Sequence, residues 1–274
     1  MKLDKFLQKC DALAFPAVFE NQKDLDKFDY IQSLNHDFNQ LFSKSTTVAC
    51  VNYLNEGVKN RLSKEVDNLM NHHFKNAQVI HHRSSGKNIE ELAFQENFLI
   101  HFCKKLGYKF ICKSMDHVLV QKEAFKLKID PSIDFHYTCG VGWTKCEQKD
   151  NNIQDICDTE FFPQTNFYIL NVSKVDYLYD LEKVKTTKKE WEKEPEKFNG
   201  PYYIEMEAET ANMANRNDLS RRDIIPRDKF EQIIKNVIKF KIGDPSYKNL
   251  ATCGITHFQN PYSPIYDLTM DYEE

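Results

Sequence analysis

Apolar residues recur every three or four positions through the first 75 residues. Leu25, Phe28, Tyr30, Ile31, Leu34, Phe38, Leu41 and Phe42 form one series; Val51, Tyr53, Leu54, Val58, Leu62, Val66, Leu69 and Met70 form a second. Each fits the inward face of an amphipathic helix. No proline follows Pro16 in this stretch, and its one glycine is Gly57. The pattern predicts a helical N-terminal region over 1–75. Residues 76–87, with Ser84, Ser85 and Gly86, read as a loop and a boundary. Asn88 suits a helix N-cap ahead of Glu90 and Glu91. Leu92, Phe94, Phe98, Leu99 and Phe102 carry that helix to Gly107, a terminator.

Beyond Gly107 the period shortens. Tyr108–Cys112, His117–Val120, Phe125–Ile129 and Ile133–Tyr137 read as short strands, and Asn166–Val172 as another. Residues 139–165 look irregular. Residues 182–198 hold six lysines and five glutamates, which predicts an exposed helix or excursion. Tyr202–Ile204 reads as strand. Pro226–Phe240 reads as a helix, with Phe230, Ile233, Ile234, Val237 and Ile238 on one face. The fold class that follows is α/β, a mixed sheet with flanking helices over 76–274, preceded by the helical region at 1–75.

Composition adds little to this picture. The 274 residues carry 37 Lys plus Arg against 41 Asp plus Glu, for a net charge of -4, and 41% are hydrophobic. This excludes an intrinsically disordered chain, a collagen and a small disulfide scaffold. No run of 18 apolar residues exists, so no transmembrane helix and no membrane partner are expected. The N-terminus lacks the unbroken apolar stretch of a signal peptide, so a cytoplasmic location is expected. Eight cysteines at irregular spacing are expected to be mostly reduced thiols, several of them buried. Eight glycines include no GxGxxG and no GxxxxGK[ST]; HExxH, GxSxG and CxxC are also missing.

Five constellations suggest chemistry. His136, Cys139, Cys146 and Cys157 are of the types that make a tetrahedral Cys3His zinc site, though the spacing matches no standard module. Glu205, Glu207 and Glu209 share one face if they lie on a strand, a crowding that a metal would relieve. His72, His73, His81 and His82, with Arg83 and Lys87, border a helix N-terminus and suit an anion such as phosphate. Asn212, Asn215, Arg216, Arg221 and Arg222 are of the types that pair with base edges. Against each stands a bland alternative: surface charge, a polar loop or a satisfied histidine.

The fifth constellation is Asp134, preceded by Pro131, and then Glu147 and Lys149. It resembles the PD-(D/E)xK signature of the restriction-endonuclease-like superfamily, over roughly residues 88–175. Pro131 and Asp134 are not adjacent, which departs from the usual pattern. The resemblance implies a metal-dependent phosphodiesterase, a DNA endonuclease similar to type II restriction enzymes. Asp134 and Glu147 would bind Mg2+, Glu96 would reach the metal from its helix, and Lys149 would orient the attacking water. Arg83, Lys87, Asn215, Arg216, Arg221 and Arg222 would hold DNA, and a homodimer would follow. The alternatives are a non-catalytic module that binds protein or nucleic acid, and an enzyme of another class acting on a phosphorylated substrate.

Overall fold

The computed structural model describes residues 1–82, 89–141, 161–194, 210, 213–225 and 255–257. The chain opens with a short helix α1 (Leu3–Leu7), then β1 (Ala12–Phe19), α2 (Gln22–Leu34), α3 (His36–Gln40), β2 (Thr46–Tyr53), α4 (Glu56–His73) and β3 (Ala77–His81). It continues with α5 (Ile89–Lys105), β4 (Phe110–Ser114), β5 (Val118–Val120), β6 (Phe135–Val141), β7 (Phe161–Asn171), α6 (Leu181–Lys193), β8 (Arg221–Asp223) and β9 (Ile255–His257). Among the described residues, seven strands form one sheet in the order β3-β2-β1-β4-β7-β6-β8, while β5 and β9 pair separately. β1, β2, β3 and β4 are parallel, and β7 runs against both β4 and β6. The mixed sheet with flanking helices is thus the fold that the periodicity predicts.

The first 75 residues are built differently from the expected run of helices. The predicted helical series at 25–42 is present as α2 and α3, and that at 51–70 only from Glu56, as α4; β1 precedes α2, β2 stands between α3 and α4, and both strands lie at the centre of the sheet. β1 throughout and the Val48–Val51 centre of β2 are apolar because helices cover both sheet faces. Leu13, Phe15, Ala17 and Phe19 of β1 join Val51 and Tyr53 of β2 in one core, against Leu25 and Phe28 of α2 and Val58, Leu62, Val66 and Met70 of α4. The intervening Ala12, Ala14, Val48 and Cys50 join a second core with Ala93, Leu99, Ile100 and Cys103 of α5 and Val184 of α6. Small residues on that face let α5 approach the sheet closely.

Pro16 sits in the middle of β1 and has no N–H to give to a ladder. Gln95 of α5 supplies a substitute: its Nε2 donates to the carbonyls of Ala17 at 3.0 Å and Cys50 at 2.8 Å. The helix starts are capped by side chains. Asn21 Oδ1 accepts from Asp24 N, Asn55 Oδ1 from Val58 N, and Asp180 Oδ1 from Glu182 N and Lys183 N. Gly107, at φ +80°, ends α5 as expected. Phe125–Ile129 is not a strand. A single 3-10 turn at Ala124–Lys126 is followed by one bridge, Lys2 to Lys128, and α1 closes over it with Leu3 N–H on Leu127 O. Among the described residues no helix is long and apolar enough to cross a membrane.

Candidate functional site

From β1 the chain steps outward through β2 to β3, then returns by α5 to place β4 on the other side of β1. In open α/β sheets, ligands bind outside the carboxyl ends of the strands at such a reversal. Here that crevice lies beyond Phe19 and Ser114, and the chain after β4 turns onto the face that α2 covers, where Met115, Val118 and Val120 share a core with Leu25 and Phe28. Glu20 and Asn21 follow β1, and Glu20 N–H is anchored to Asp24 Oδ2 at 2.8 Å. Met115, Asp116 and His117 follow β4. Asp116 Oδ1 meets His117 Nδ1 in a close pair, with side chains only 20% and 11% exposed. The loop is fixed from α2: Gln32 Nε2 donates to Asp116 O, Asn35 Nδ2 donates to Val118 O at 2.7 Å, and Val120 N–H donates to Asn35 Oδ1 at 2.8 Å. A rigid carboxylate beside an imidazole offers hard oxygen and borderline nitrogen to a divalent cation. Leu54, 43% exposed at the end of β2, adds an apolar lip; its N–H donates to Phe19 O.

Behind β4 lies a buried charge pair. Lys113 Nζ reaches Glu96 Oε1 at 2.8 Å and also donates to Thr165 O, while Tyr168 Oη donates to Glu96 Oε2 at 3.1 Å. Burial pushes the Glu96 carboxyl above its ordinary value, and Lys113 and Tyr168 pull it partway back. This pair ties α5 to β4 and β7 immediately before the Asp116 loop.

A second polar cluster stands at the carboxyl ends of β2 and β3. Tyr53 Oη and His81 Nδ1 lie 2.6 Å apart, and His81 Nε2 lies 2.9 Å from Asp67 Oδ1. Glu91 Oε2 receives Asn52 Nδ2 at 3.4 Å and lies 3.7 Å from His82 Nε2. The His82 ring stacks on Phe94, centroids 5.0 Å apart. The other histidine pair is structural in part: His73 Nε2 bonds Asp29 Oδ1 at 2.7 Å, linking α4 to α2, and burial lowers its pKa.

The residues singled out in the sequence are dispersed. Asp134 precedes β6, at the amino-terminal edge of the parallel strands and opposite the crevice. Its carboxylate accepts from Asn171 Nδ2 at 2.9 Å, Lys174 Nζ at 2.8 Å and Ser220 Oγ at 3.0 Å. Burial works to raise its pKa, but these bonds hold it below the ordinary value. It joins the start of β6 to the end of β7 and the approach to β8. Glu96 faces inward onto Lys113, among different partners. Glu147 and Lys149 lie outside the described residues, as do Arg83, Lys87, Asn212, Glu205, Glu207 and Glu209. Asn215 and Arg216 are exposed near the approach to β8, with Arg216 Nη1 on Met213 Sδ, and Arg221 and Arg222 form part of that edge strand.

The zinc set is not assembled among the described residues, where no group of three or more metal-ligating side chains occurs. His136 Nε2 is on Asp130 O at 3.0 Å, its ring packs against Phe6, and Cys146 and Cys157 lie outside the described residues. Cys10, Cys50, Cys103 and Cys112 are free and buried; burial pushes the Cys50 and Cys103 thiols up to about 12. The Asp116–His117 pair was not among the candidates. Nothing in the local sequence marks it: Asp116 and His117 stand between Met115 and Val118 without a motif of their own.

No protein-family model and no curated protein sequence matches the chain. Solved structures similar to it include a nucleoside-diphosphate-sugar pyrophosphorylase from Vibrio cholerae RC9, at 11% identity over 77% of this chain and 90% of that one, TM-score 0.41. An active-site mutant of LgtC is similar at 12% identity over 91% and 88%, TM-score 0.44. Core-mannan synthase A from Aspergillus fumigatus, in a Mn/GDP form, is similar at 10% identity over 60% of each chain, TM-score 0.33. The restriction-endonuclease resemblance, and the Mg2+-dependent DNA endonuclease implied by it, are corrected: none of these similar solved structures is a restriction endonuclease. The Asp134 on which the motif was anchored is spent on Lys174, Asn171 and Ser220 away from the crevice.

Proposed function

We propose that this protein is a group-transfer enzyme that binds a nucleoside-diphosphate-linked substrate in the crevice between the carboxyl ends of β1 and β4. The observation that carries the proposal is the Asp116–His117 pair at that reversal of strand order. Crevices of this kind are the ligand sites of open α/β sheets. Glu20, Asp24 and Asp116 make this one acidic, so a diphosphate needs a cation to bridge it. The donor set fits a divalent ion: Asp116 and His117 would hold it, and substrate phosphate and water would complete its shell. Such an ion supplies charge stabilisation to the leaving diphosphate. Leu54 offers apolar surface to a base. The cluster at β2 and β3 gives the same sheet edge a second polar ligand surface, as transfer between two substrates requires.

The test is a mass-spectrometric screen of nucleotide sugars for release of nucleoside diphosphate, with Mn2+ or Mg2+ and with EDTA, beside Asp116→Asn. The proposal expects cation-dependent release from at least one donor, lost in the variant. Release that survives EDTA and Asp116→Asn unchanged, or no release from any donor, overturns it.

A further inference from the structure

The side of α2 and α3 that meets the Asp116–His117 loop carries three amides where apolar side chains would be expected. Gln32, Asn35 and Asn39 are buried, while Leu34 between them is 45% exposed. The chain here turns amides inward and a leucine outward, against the ordinary direction of burial. Burying an amide costs desolvation unless its hydrogen bonds are made, and two of these three make them to the loop.

Asn35 stands between the two helices, where an asparagine side chain ordinarily caps the helix that follows. It makes no cap bond to α3. Its Nδ2 instead donates to Val118 O at 2.7 Å, and its Oδ1 accepts from Val120 N–H at 2.8 Å. A parallel neighbouring strand would meet the two groups flanking Leu119 in the same way. One side-chain amide thus takes the place of a strand along one edge of β5, and Thr256 of β9 stands opposite Leu119 in the strand pair. The Leu119 side chain packs with Ile31 of α2.

Gln32, one turn earlier, reaches the residue that bears the carboxylate. Its Nε2 donates to Asp116 O at 3.4 Å, and its Oε1 accepts from Asn39 Nδ2 at 3.3 Å. The same Nδ2 meets Gln32 O at 3.4 Å. A carbonyl only accepts, so Asp116 O fixes the direction of the whole chain: Gln32 presents its N–H to the loop and its oxygen to Asn39. The main chain is therefore pinned at 116, 118 and 120, on either side of the close Asp116–His117 pair.

We propose that Gln32 and Asn35 are positioning residues for a cation held by Asp116 and His117, with Asn39 orienting Gln32. The proposal rests on the cation-dependent crevice reading. Neither amide touches the ion; both preset the loop that carries its ligands. Losing an orienting partner of this kind weakens metal binding by roughly 10–100-fold.

The test compares Gln32→Met and Asn35→Leu with the wild type, Asp116→Asn and Asp134→Ala. The first two replace neutral groups with neutral groups, so any lost affinity is not lost Coulomb attraction. Equilibrium dialysis of the full chain measures bound UDP, GDP and CDP in Mn2+ and in EDTA, at a temperature where melting shows each variant folded. The expected result is Mn2+-dependent binding weakened about tenfold or more in both amide variants. Asp134→Ala, destabilised away from the loop, should bind as the wild type does. Asn35→Leu removes two short bonds; if it does not fold, Gln32→Met, which removes only long ones, decides alone. Wild-type affinity in Gln32→Met, beside lost affinity in Asp116→Asn, overturns the proposal and leaves the crevice reading standing. Equal weakening in Asp134→Ala also overturns it, since that marks a general loosening of the fold. No Mn2+-dependent binding by the wild type overturns the crevice reading, and the proposal with it.

Discussion

Removing the Lys113 ammonium tests how α5 is locked to the sheet beneath the crevice. The side chains of Lys113 and Glu96 are 1% and 0% exposed. In Lys113→Met, Glu96 keeps only Tyr168 Oη, and Thr165 O loses its donor. Breaking a buried pair from one side costs about 3–5 kcal/mol. At roughly 2–4 °C per kcal/mol for a chain of this size, the melting temperature falls by roughly 6–20 °C. Removing both charges in Lys113→Met with Glu96→Leu leaves mainly Tyr168 Oη unpaired, a loss of about 1–3 kcal/mol. The double variant is therefore expected to be more stable than Lys113→Met alone. The sign with pH follows from the raised Glu96 carboxyl. A folded pKa above the unfolded one means that the folded state holds the proton more tightly, so its contribution is full below about 4.3 and is lost as pH rises through the folded value. Lys113→Met removes the strongest influence opposing that rise, so its deficit against the wild type widens above about pH 4.3. Urea melts of the three proteins from pH 4 to 8 measure this. A deficit under about 1 kcal/mol, or a double variant no more stable than Lys113→Met alone, refutes the reasoning.

Three further outcomes are expected. Asp134→Ala should cost about 2–4 kcal/mol by releasing Asn171, Lys174 and Ser220, yet leave nucleotide affinity unchanged. Because the folded pKa of Asp134 is depressed, its contribution is present above about 3.9 and lost as pH falls through the folded value. His73, whose pKa is lowered by burial, should cost stability as pH falls below about 6.5, a loss that His73→Gln removes from the urea-melt pH profile. Cys10, Cys50, Cys103 and Cys112 should resist a disulfide reagent at pH 8 in the folded protein and react on denaturation; rapid native labelling at these positions, read by peptide mapping, would contradict their burial.

The fold class was legible because α2, α4 and α5 carry clear apolar faces and the strands beyond Gly107 are short and distinct. β1 and β2 were not. Pro16 argues against a central strand unless a side chain such as Gln95 replaces the missing donor. The helical series that began at Val51 ran through the end of β2 into α4, so a strand buried on both faces merged with the helix after it. Phe125–Ile129 alternates like a strand, but α1 takes the place that a pairing strand would need. Of the site, Glu96, Asp134, His81 and His82 were visible as chemistry-bearing residues, yet their roles depend on Lys113, Lys174, Tyr53 and Glu91, partners distant in sequence. Asp116 and His117 gain significance only from the strand order, which no local pattern encodes.

The central claim is tested most directly by calorimetric titration of UDP, GDP and CDP into the full chain with Mn2+, and again with EDTA, for the wild type, Asp116→Asn and His117→Ala. The account predicts that at least one nucleotide binds only with the cation and that each substitution weakens it about tenfold or more, roughly 1.4 kcal/mol. Binding that ignores both the cation and the substitutions, or no binding of any nucleotide, would contradict it.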